Sequence, residues 1–207
     1  MNLLFIQKST GRGGAKNSLL ESVTAIRGDH QVHSHVIIGE PGPFSERCTQ
    51  LGVPFSVERL PEWRKFLDRI FFSQHIRRIS KKHSSSKIDW VISNEMWWGP
   101  HAAQIARDLG CRSAVILRDG IATIKKARQY RLVQHELVLP VSSTIADTLR
   151  GDIELKSRVH VLFNAVNVPP PRPGDEAELN YLLAPFTKVG RWLLVVGKLT
   201  PRKNQAD

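Results

Sequence analysis

Short apolar runs alternate with amphipathic stretches from the first residues of this chain, and that alternation constrains the fold more than any other feature. Leu3–Ile6, Val32–Ile38, Ile88–Ile92, Ala114–Leu117, Leu137–Val141 and Val159–Phe163 read as strands, with a smaller one near Val53–Val57. Most are almost continuously apolar, as strands covered on both faces must be. Between them Ala15–Ile26, Phe44–Leu51, Pro61–Lys82 and His101–Leu109 read as helices. Leu19, Leu20, Val23 and Ile26 share one face of the first. Ser143 or Thr144 is expected to cap a helix running to Leu149. Strands separated by helices pair through crossovers rather than hairpins. The pattern predicts an α/β fold with a Rossmann-like, doubly wound parallel sheet.

A break follows. Val168–Gly174 holds four prolines and reads as a stiff linker. Glu176–Leu183 is a short helix candidate, and Arg191–Val196 a further strand that runs into Gly197, Lys198 and Lys203. The expected organisation is a first domain over 1–167, a Pro-rich linker with a short helix over 168–190, and the start of a truncated nucleotide-binding domain over 191–207.

The net charge of +11 over 207 residues, with a pI near 10.1, favours anionic partners, although a solvated basic surface explains it equally well. The cations are dispersed and no recognition motif is present, which argues against nucleic acid. Cys48 and Cys111 follow no metal spacing and read as reduced cytosolic thiols. No apolar run has the length of a membrane-spanning helix, and Met1–Ile6 is too short for a signal-peptide core. A cytoplasmic protein that touches a membrane without crossing it is expected. The segment for that contact is Pro61–Lys82, where Trp63, Phe66, Leu67, Ile70, Phe71 and Phe72 are interleaved with many cations. The same segment also fits a core-facing helix with a basic outer face.

Ligands of open α/β sheets bind beyond the carboxyl ends of the strands, so the loops there are the candidates for chemistry. The first strand leads through Gly11–Ala15 into a helix, where backbone N–H groups and the helix N-terminus favour an anion. These glycines also suit a tight turn that needs positive φ, and their spacing matches neither the dinucleotide fingerprint nor a P-loop. After Ile92 come Asn94, Glu95, Trp97 and Trp98. The tryptophans suit stacking on a sugar or an apolar acceptor, or packing against the sheet edge. The next strand ends in Arg118-Asp119. Arg118 suits a phosphate or carboxylate and Asp119 a base or hydroxyl anchor, with a surface ion pair as the plain alternative. Lys198 and Lys203 flank a turn and suit a leaving diphosphate. His33 and His35 share a strand face near His30, but no third ligand or acidic partner accompanies them, so no metal site is expected.

Taken together, Gly13–Ala15, Leu139–Ser143 (L-P-V-S-S), Leu162–Asn167 (L-F-N-A-V-N) and Val196–Asn204 (V-G-K-L-T-P-R-K-N) resemble, in order and spacing, the motifs of the retaining glycosyltransferases of family 4. The resemblance covers nearly the whole chain. It implies the GT-B fold: the N-terminal domain plus the first strand of the C-terminal one. It implies sugar transfer from a nucleotide diphosphate sugar to a glycan or lipid-linked acceptor, of the hexosyl type used in cell-surface polysaccharide synthesis. No cofactor is implied beyond that co-substrate. By resemblance Gly13, Gly14, Lys198 and Lys203 hold the donor, Arg118 and Asp119 stand near the transferring sugar, and Asn94, Glu95 and Trp97 meet the acceptor. Lys198 replaces the usual Arg and Arg118 the usual His. The family's Glu-x7-Glu segment would fall beyond Asp207, so the chain alone is expected to be catalytically incomplete. The alternatives are a non-catalytic assembly module that pairs with a separate C-terminal chain, and a membrane-surface scaffold.

Overall fold

The computed structural model describes residues 1–8, 11, 13–118, 122–164 and 174–184. The chain divides into two units, Met1–Asn167 and Val168–Asp207. In the first unit six strands form one parallel sheet: β1 (Asn2–Gln7), β2 (His33–Ile38), β3 (Phe55–Val57), β4 (Trp90–Ser93), β5 (Arg112–Leu117) and β6 (Leu137–Pro140). Their order is β3-β2-β1-β4-β5-β6, with every neighbouring pair parallel. Phe5 of β1 pairs with Val36 on one side and Ile92 on the other. The chain winds outward from β1 to β3 and then crosses back to β4 on β1's other side. The β1–β4 boundary is therefore the topological switch point, where the loops diverge and leave a crevice.

Alternation along β1 sends its side chains to two cores. Leu3 and Phe5 join Val36 and Ile38 beneath helix α1 (Gly14–Ile26), through Leu19, Leu20 and Val23, and beneath helix α2 (Pro43–Gln50), through Phe44 and Cys48. Leu4 and Ile6 join Ile37, Val91, Val115 and Leu117 on the opposite face. Each of these fully buried aliphatic side chains stabilises the fold by about 1.5–3 kcal/mol. Helices cover both faces of the sheet's centre, which is why its strands are apolar there, while the start of β2 (His33, Ser34, His35) and the edge strand β3 keep polar or exposed positions.

The long helix expected over Pro61–Lys82 is two helices, α3 (Phe66–Ile70) and α4 (Phe72–His83), broken at Phe71, with Leu60–Lys65 non-helical. One ring contact explains the break. Trp63 stands edge-on to Phe72, with ring centroids 4.9 Å apart. Nine residues of continuous helix would separate them by about 13 Å along the axis, so the chain has to fold back. Helix α4 buries Phe72, Ile76 and Ile79 and turns its cations outward, whereas α3 buries nothing.

Helix α5 (Gly99–Leu109) follows β4, and a short helix α6 (Ile124–Gln129) that the sequence reading missed follows β5. Helix α7 (Ser143–Arg150) follows β6. Its cap is Ser142, whose hydroxyl accepts from the Ile145 N–H at 3.4 Å, and not Ser143 or Thr144. The strand expected at Val159–Phe163 is instead a single bridge, Val159 to Val138, after which the segment continues beside β6 through His160 N–H to Val138 O and Leu162 N–H to Pro140 O. In the second unit helix α8 (Asp175–Leu183) occupies the place expected for a short helix. The expected linker prolines and the strand at Arg191–Val196 lie outside the described residues.

Candidate functional site

The carboxyl ends of β1, β4 and β5 meet at the switch point, and a polar network joins them there. Asn94, directly after β4, is fully buried. Its amide N–H groups donate to Gln7 Oε1 at 2.6 Å and to the Ala15 carbonyl at 3.1 Å. Its oxygen accepts from Arg118 Nε at 3.1 Å. Arg118 Nη1 donates to Ser18 Oγ at 2.9 Å and to Asn164 Oδ1, while the Ser18 hydroxyl donates to Asn164 Oδ1 at 3.2 Å. Asn94 thus clamps the first turn of α1 to the end of β1 and orients the Arg118 guanidinium. Gln7 Nε2 reaches Glu95 Oε2 at 3.4 Å.

Arg118 is half-buried, and no carboxylate of the described residues lies in ion-pair contact with it. Burial lowers its pKa, and the more distant Glu95 charge opposes that effect only partly. A desolvated guanidinium without a counter-ion favours an anion. Lys16, 9 % exposed, adds a second cation at the start of α1.

The glycines ahead of α1 are not there for turn geometry. Gly13 is extended, at φ 178°. The described glycines with positive φ are Gly42, Gly52, Gly110 and Gly174. A Cβ at Gly11 or Gly14 would meet nothing within 4 Å, so the fold itself tolerates a side chain there. Bare backbone and a helix N-terminus without a side-chain cap leave room and free N–H groups for a ligand.

Beside this network lies a cleft of about 250 Å³ lined by Lys8, Glu62, Trp63, Trp97, Trp98 and Tyr130, among others. Lys8 follows β1, and its ammonium pairs with Glu62 at 2.9 Å and lies 5.1 Å from the centre of the Trp98 ring. Hydrogen bonds from Lys8 and then Lys65 hold the Glu62 carboxyl below its ordinary range. Trp97 and Tyr130 meet edge to face, with centroids 5.0 Å apart. Gly39 is obligatory here, because a Cβ would lie 2.4 Å from Lys8 Cγ and 2.9 Å from Lys8 Cα. Beneath the cleft, His101 Nε2–H donates to the Pro61 carbonyl at 2.7 Å and so holds the wall that carries Trp63. Flat aromatic walls with a few charged groups suit a pyranose ring: C–H faces stack, hydroxyls bond.

Of the residues expected from sequence, the structure brings Asn94, Glu95, Arg118 and the Gly13–Gly14 loop together, with Trp97 in the adjoining cleft. Trp98 is largely buried and Trp97 half-buried, so one tryptophan packs and the other lines the cleft. Asp119, Lys198 and Lys203 lie outside the described residues. Gln7, Lys8, Ser18, Trp63, Tyr130 and Asn164 were not singled out for this site by the sequence. A polar Gln closing the apolar run of β1 was the one local sign. His35 faces His83, with ring centroids 5.2 Å apart, and its Nε2 lies 3.0 Å from Ser56 Oγ. Among the described residues no three His, Cys, Asp or Glu side chains cluster to hold a metal ion. None of the described helices is long and apolar enough to cross a membrane.

No family model matches the chain, and no curated protein matches it by sequence. Solved structures do match. HepE of Anabaena in complex with UDP and glucose is similar over 87 % of this chain and 50 % of its own, with a TM-score of 0.68 and 16 % identity. The lipopolysaccharide outer core galactosyltransferase WaaB matches over 84 % of this chain and 50 % of its own (TM-score 0.59, 15 % identity). A glycosyltransferase from Rickettsia africae matches over 89 % and 49 % (TM-score 0.64, 12 % identity). The chain spans about half the length of these neighbours. Its six-stranded parallel sheet with flanking helices has the fold of the N-terminal half of the GT-B glycosyltransferases.

Proposed function

We propose that this protein is a glycosyltransferase whose Met1–Asn167 unit holds the acceptor, with a nucleotide diphosphate sugar as donor. The observation that carries the reading is the aromatic cleft at the switch point, beside a half-buried guanidinium that lacks a carboxylate partner among the described residues. Trp97 stacks on the acceptor and Glu95 bonds its hydroxyls. Asn94 is a positioning residue that holds Arg118. By the motif resemblance, Arg118 and Asp119 are assigned to the transferring sugar, and Gly13, Gly14, Lys198 and Lys203 to the donor. The reaction breaks the C1–O bond to the diphosphate and joins C1 to an acceptor hydroxyl oxygen, whose proton passes to the leaving diphosphate. The cations meet the charge that is left, so no metal is required. HepE crystallised with UDP and glucose favours a UDP-hexose donor. Retention of configuration, family 4 membership and a role in cell-surface polysaccharide synthesis follow from the motif resemblance.

We place the protein in the cytoplasm, at the inner face of a membrane. Phe66, Leu67, Ile70 and Phe71 are 77 %, 70 %, 57 % and 50 % exposed, an unusual display for one short helix and its end. Arg64, Lys65 and Arg69 flank them, which is the makeup of an anchor in anionic lipid. Flotation with phosphatidylglycerol vesicles, lost in Phe66→Ser/Ile70→Ser, supports this placement; flotation unchanged in that variant refutes it.

The decisive assay is transfer of labelled hexose from UDP-glucose or UDP-galactose to a panel of glycans and lipid-linked saccharides. Arg118→Gln lowers turnover at least a hundredfold if the assignment holds, and unaltered turnover overturns it. The anomeric configuration of the product, read by NMR, tests retention. Transfer that appears only when a separate chain is added favours the assembly-module reading.

A further inference from the structure

A second cleft, of about 480 Å³, opens next to the aromatic one and shares Trp63 and Arg64 with it. Its walls are Trp63, Arg64, Arg69, Arg128, Gln129 and Arg131. Four guanidinium groups around one hollow repel one another, and among the described residues only Arg128 has counter-ions, Asp152 at 2.9 Å and Glu154 at 3.5 Å. Arg64, Arg69 and Arg131 make no ion pair with any described residue.

Arg131 is half-buried, while Arg64, Arg69 and Arg128 are exposed, and stacking on Trp63 holds two of the four in place. The Arg131 and Arg69 guanidiniums lie 4.4 Å and 5.0 Å from the centre of the Trp63 ring. Trp63 is itself fixed by its indole N–H, which donates to the Gln129 carbonyl at 3.1 Å. Arg131 is the one described non-glycine residue with positive φ, at 57°. That backbone costs free energy, and it persists only where the surroundings over-determine it. Burial lowers the Arg131 pKa, and the neighbouring charges of Arg107 and Arg69 lower it further. An anion in the hollow would relieve the repulsion and accept the planar, paired N–H bonds that guanidinium groups offer.

We propose that the arginine cleft binds the phosphate or diphosphate group of the acceptor while the acceptor's saccharide occupies the aromatic cleft. This rests on the glycosyltransferase reading and narrows it to a phosphate-bearing acceptor. Arg69 belongs to α3, so the anion site lies at the base of the exposed apolar helix. A phosphate carried on a lipid would then be met beside the segment assigned to the membrane.

The test is binding, not turnover, so its failure and the failure of sugar transfer are separable. Inorganic pyrophosphate is titrated into the protein at fixed ionic strength, with tryptophan fluorescence as readout. Arg69→Gln/Arg131→Gln should weaken binding at least tenfold, and Arg77→Gln/Arg78→Gln, which removes equal charge from α4, should leave it within twofold. A parallel titration with phosphatidylcholine vesicles, with and without dihexadecyl phosphate, separates the sources. Arginine-dependent gain on the doped vesicles assigns a lipid phosphate, and an arginine-dependent response to pyrophosphate alone assigns a soluble one. The proposal is overturned if the two double variants lose affinity equally. It is also overturned if pyrophosphate binding depends on Arg118 and not on Arg69 and Arg131.

Discussion

Lowering the pH from 8 to 5 should destabilise this fold severely, through two buried histidines. His101 and His135 are both fully buried, and burial pulls each pKa from 6.5 to about 4. At His101 the bond to the Pro61 carbonyl fixes the proton on Nε2, and Nδ1 has no partner among the described residues. Protonation there would bury an N–H with no acceptor, beside the positive charge of Lys8. At His135 Nδ1–H donates to Ser113 Oγ at 3.0 Å, and that hydroxyl donates to Glu136 at 3.1 Å. The relay holds the neutral tautomer; the Glu136 charge favours a second proton and Arg158 opposes it, both less than burial does.

Because both folded values lie below the unfolded one, the unfolded chain takes up protons first. Stability is therefore complete above about pH 6.5 and falls until the folded histidines titrate near pH 4. With a shift of about 2.5 units, each histidine costs about 2 kcal/mol at pH 5, about 4 kcal/mol for the pair. For a domain of this size that is a Tm lower by roughly 8–16 °C. His35 and His83 are displaced in the same direction, while the lowered Glu62 and Asp152 carboxyls matter only at lower pH. Urea unfolding followed by tryptophan fluorescence at pH 8, 7, 6 and 5 measures the slope. His135→Gln should remove about half of it. Stability flat to within about 0.5 kcal/mol between pH 7 and pH 5 would refute the reasoning.

Asn94→Ala leaves Gln7 Oε1 and Arg118 Nε without this partner and removes the second bond to the Ala15 carbonyl. It should cost about 2–4 kcal/mol in urea unfolding, and a loss below about 0.5 kcal/mol would show that the network does not bear on stability. Gly39→Ala drives a Cβ into the Lys8 backbone, which has no flexible end to yield; it should destabilise by about 1–3 kcal/mol, and a neutral result would disprove the close approach. Cys48 is fully buried, with its thiol pushed up to about 11, so a disulfide reagent should leave it unmodified in the native protein and react first at half-buried Cys111. Fast modification of Cys48 would contradict its burial on the inner face of α2.

The parallel sheet was legible because strands covered on both faces have to be apolar where they cross the core, as Leu3–Ile6, Val36–Ile38 and Ala114–Leu117 are. What the sequence hid was set by distant contacts. Nothing local in Pro61–Lys82 says that Trp63 must reach Phe72, so periodicity merged two helices into one. Helix α6 reads I-K-K-A-R-Q and buries only Ala127, too little apolar surface to leave a pattern. In the candidate site, the rule that ligands gather beyond strand ends points to Asn94, Glu95, Trp97 and Arg118, which the fold brings near one another. It did not find Ser18 and Asn164, 146 positions apart, which meet only because α1 and the segment after β6 converge on Arg118. Asn94 was read as an acceptor contact, and the structure buries it completely as the clamp of Arg118.

On the proposed function, the aromatic cleft beyond β1 and β4 receives a saccharide. Saturation-transfer NMR on the protein, with a panel of hexose oligosaccharides and alkyl glycosides, tests it without turnover. Pyranose ring protons of at least one hexose should become saturated, an effect lost in Trp97→Ala and kept in the distant Trp90→Phe. No transfer across the panel, or transfer undiminished by Trp97→Ala, would contradict it.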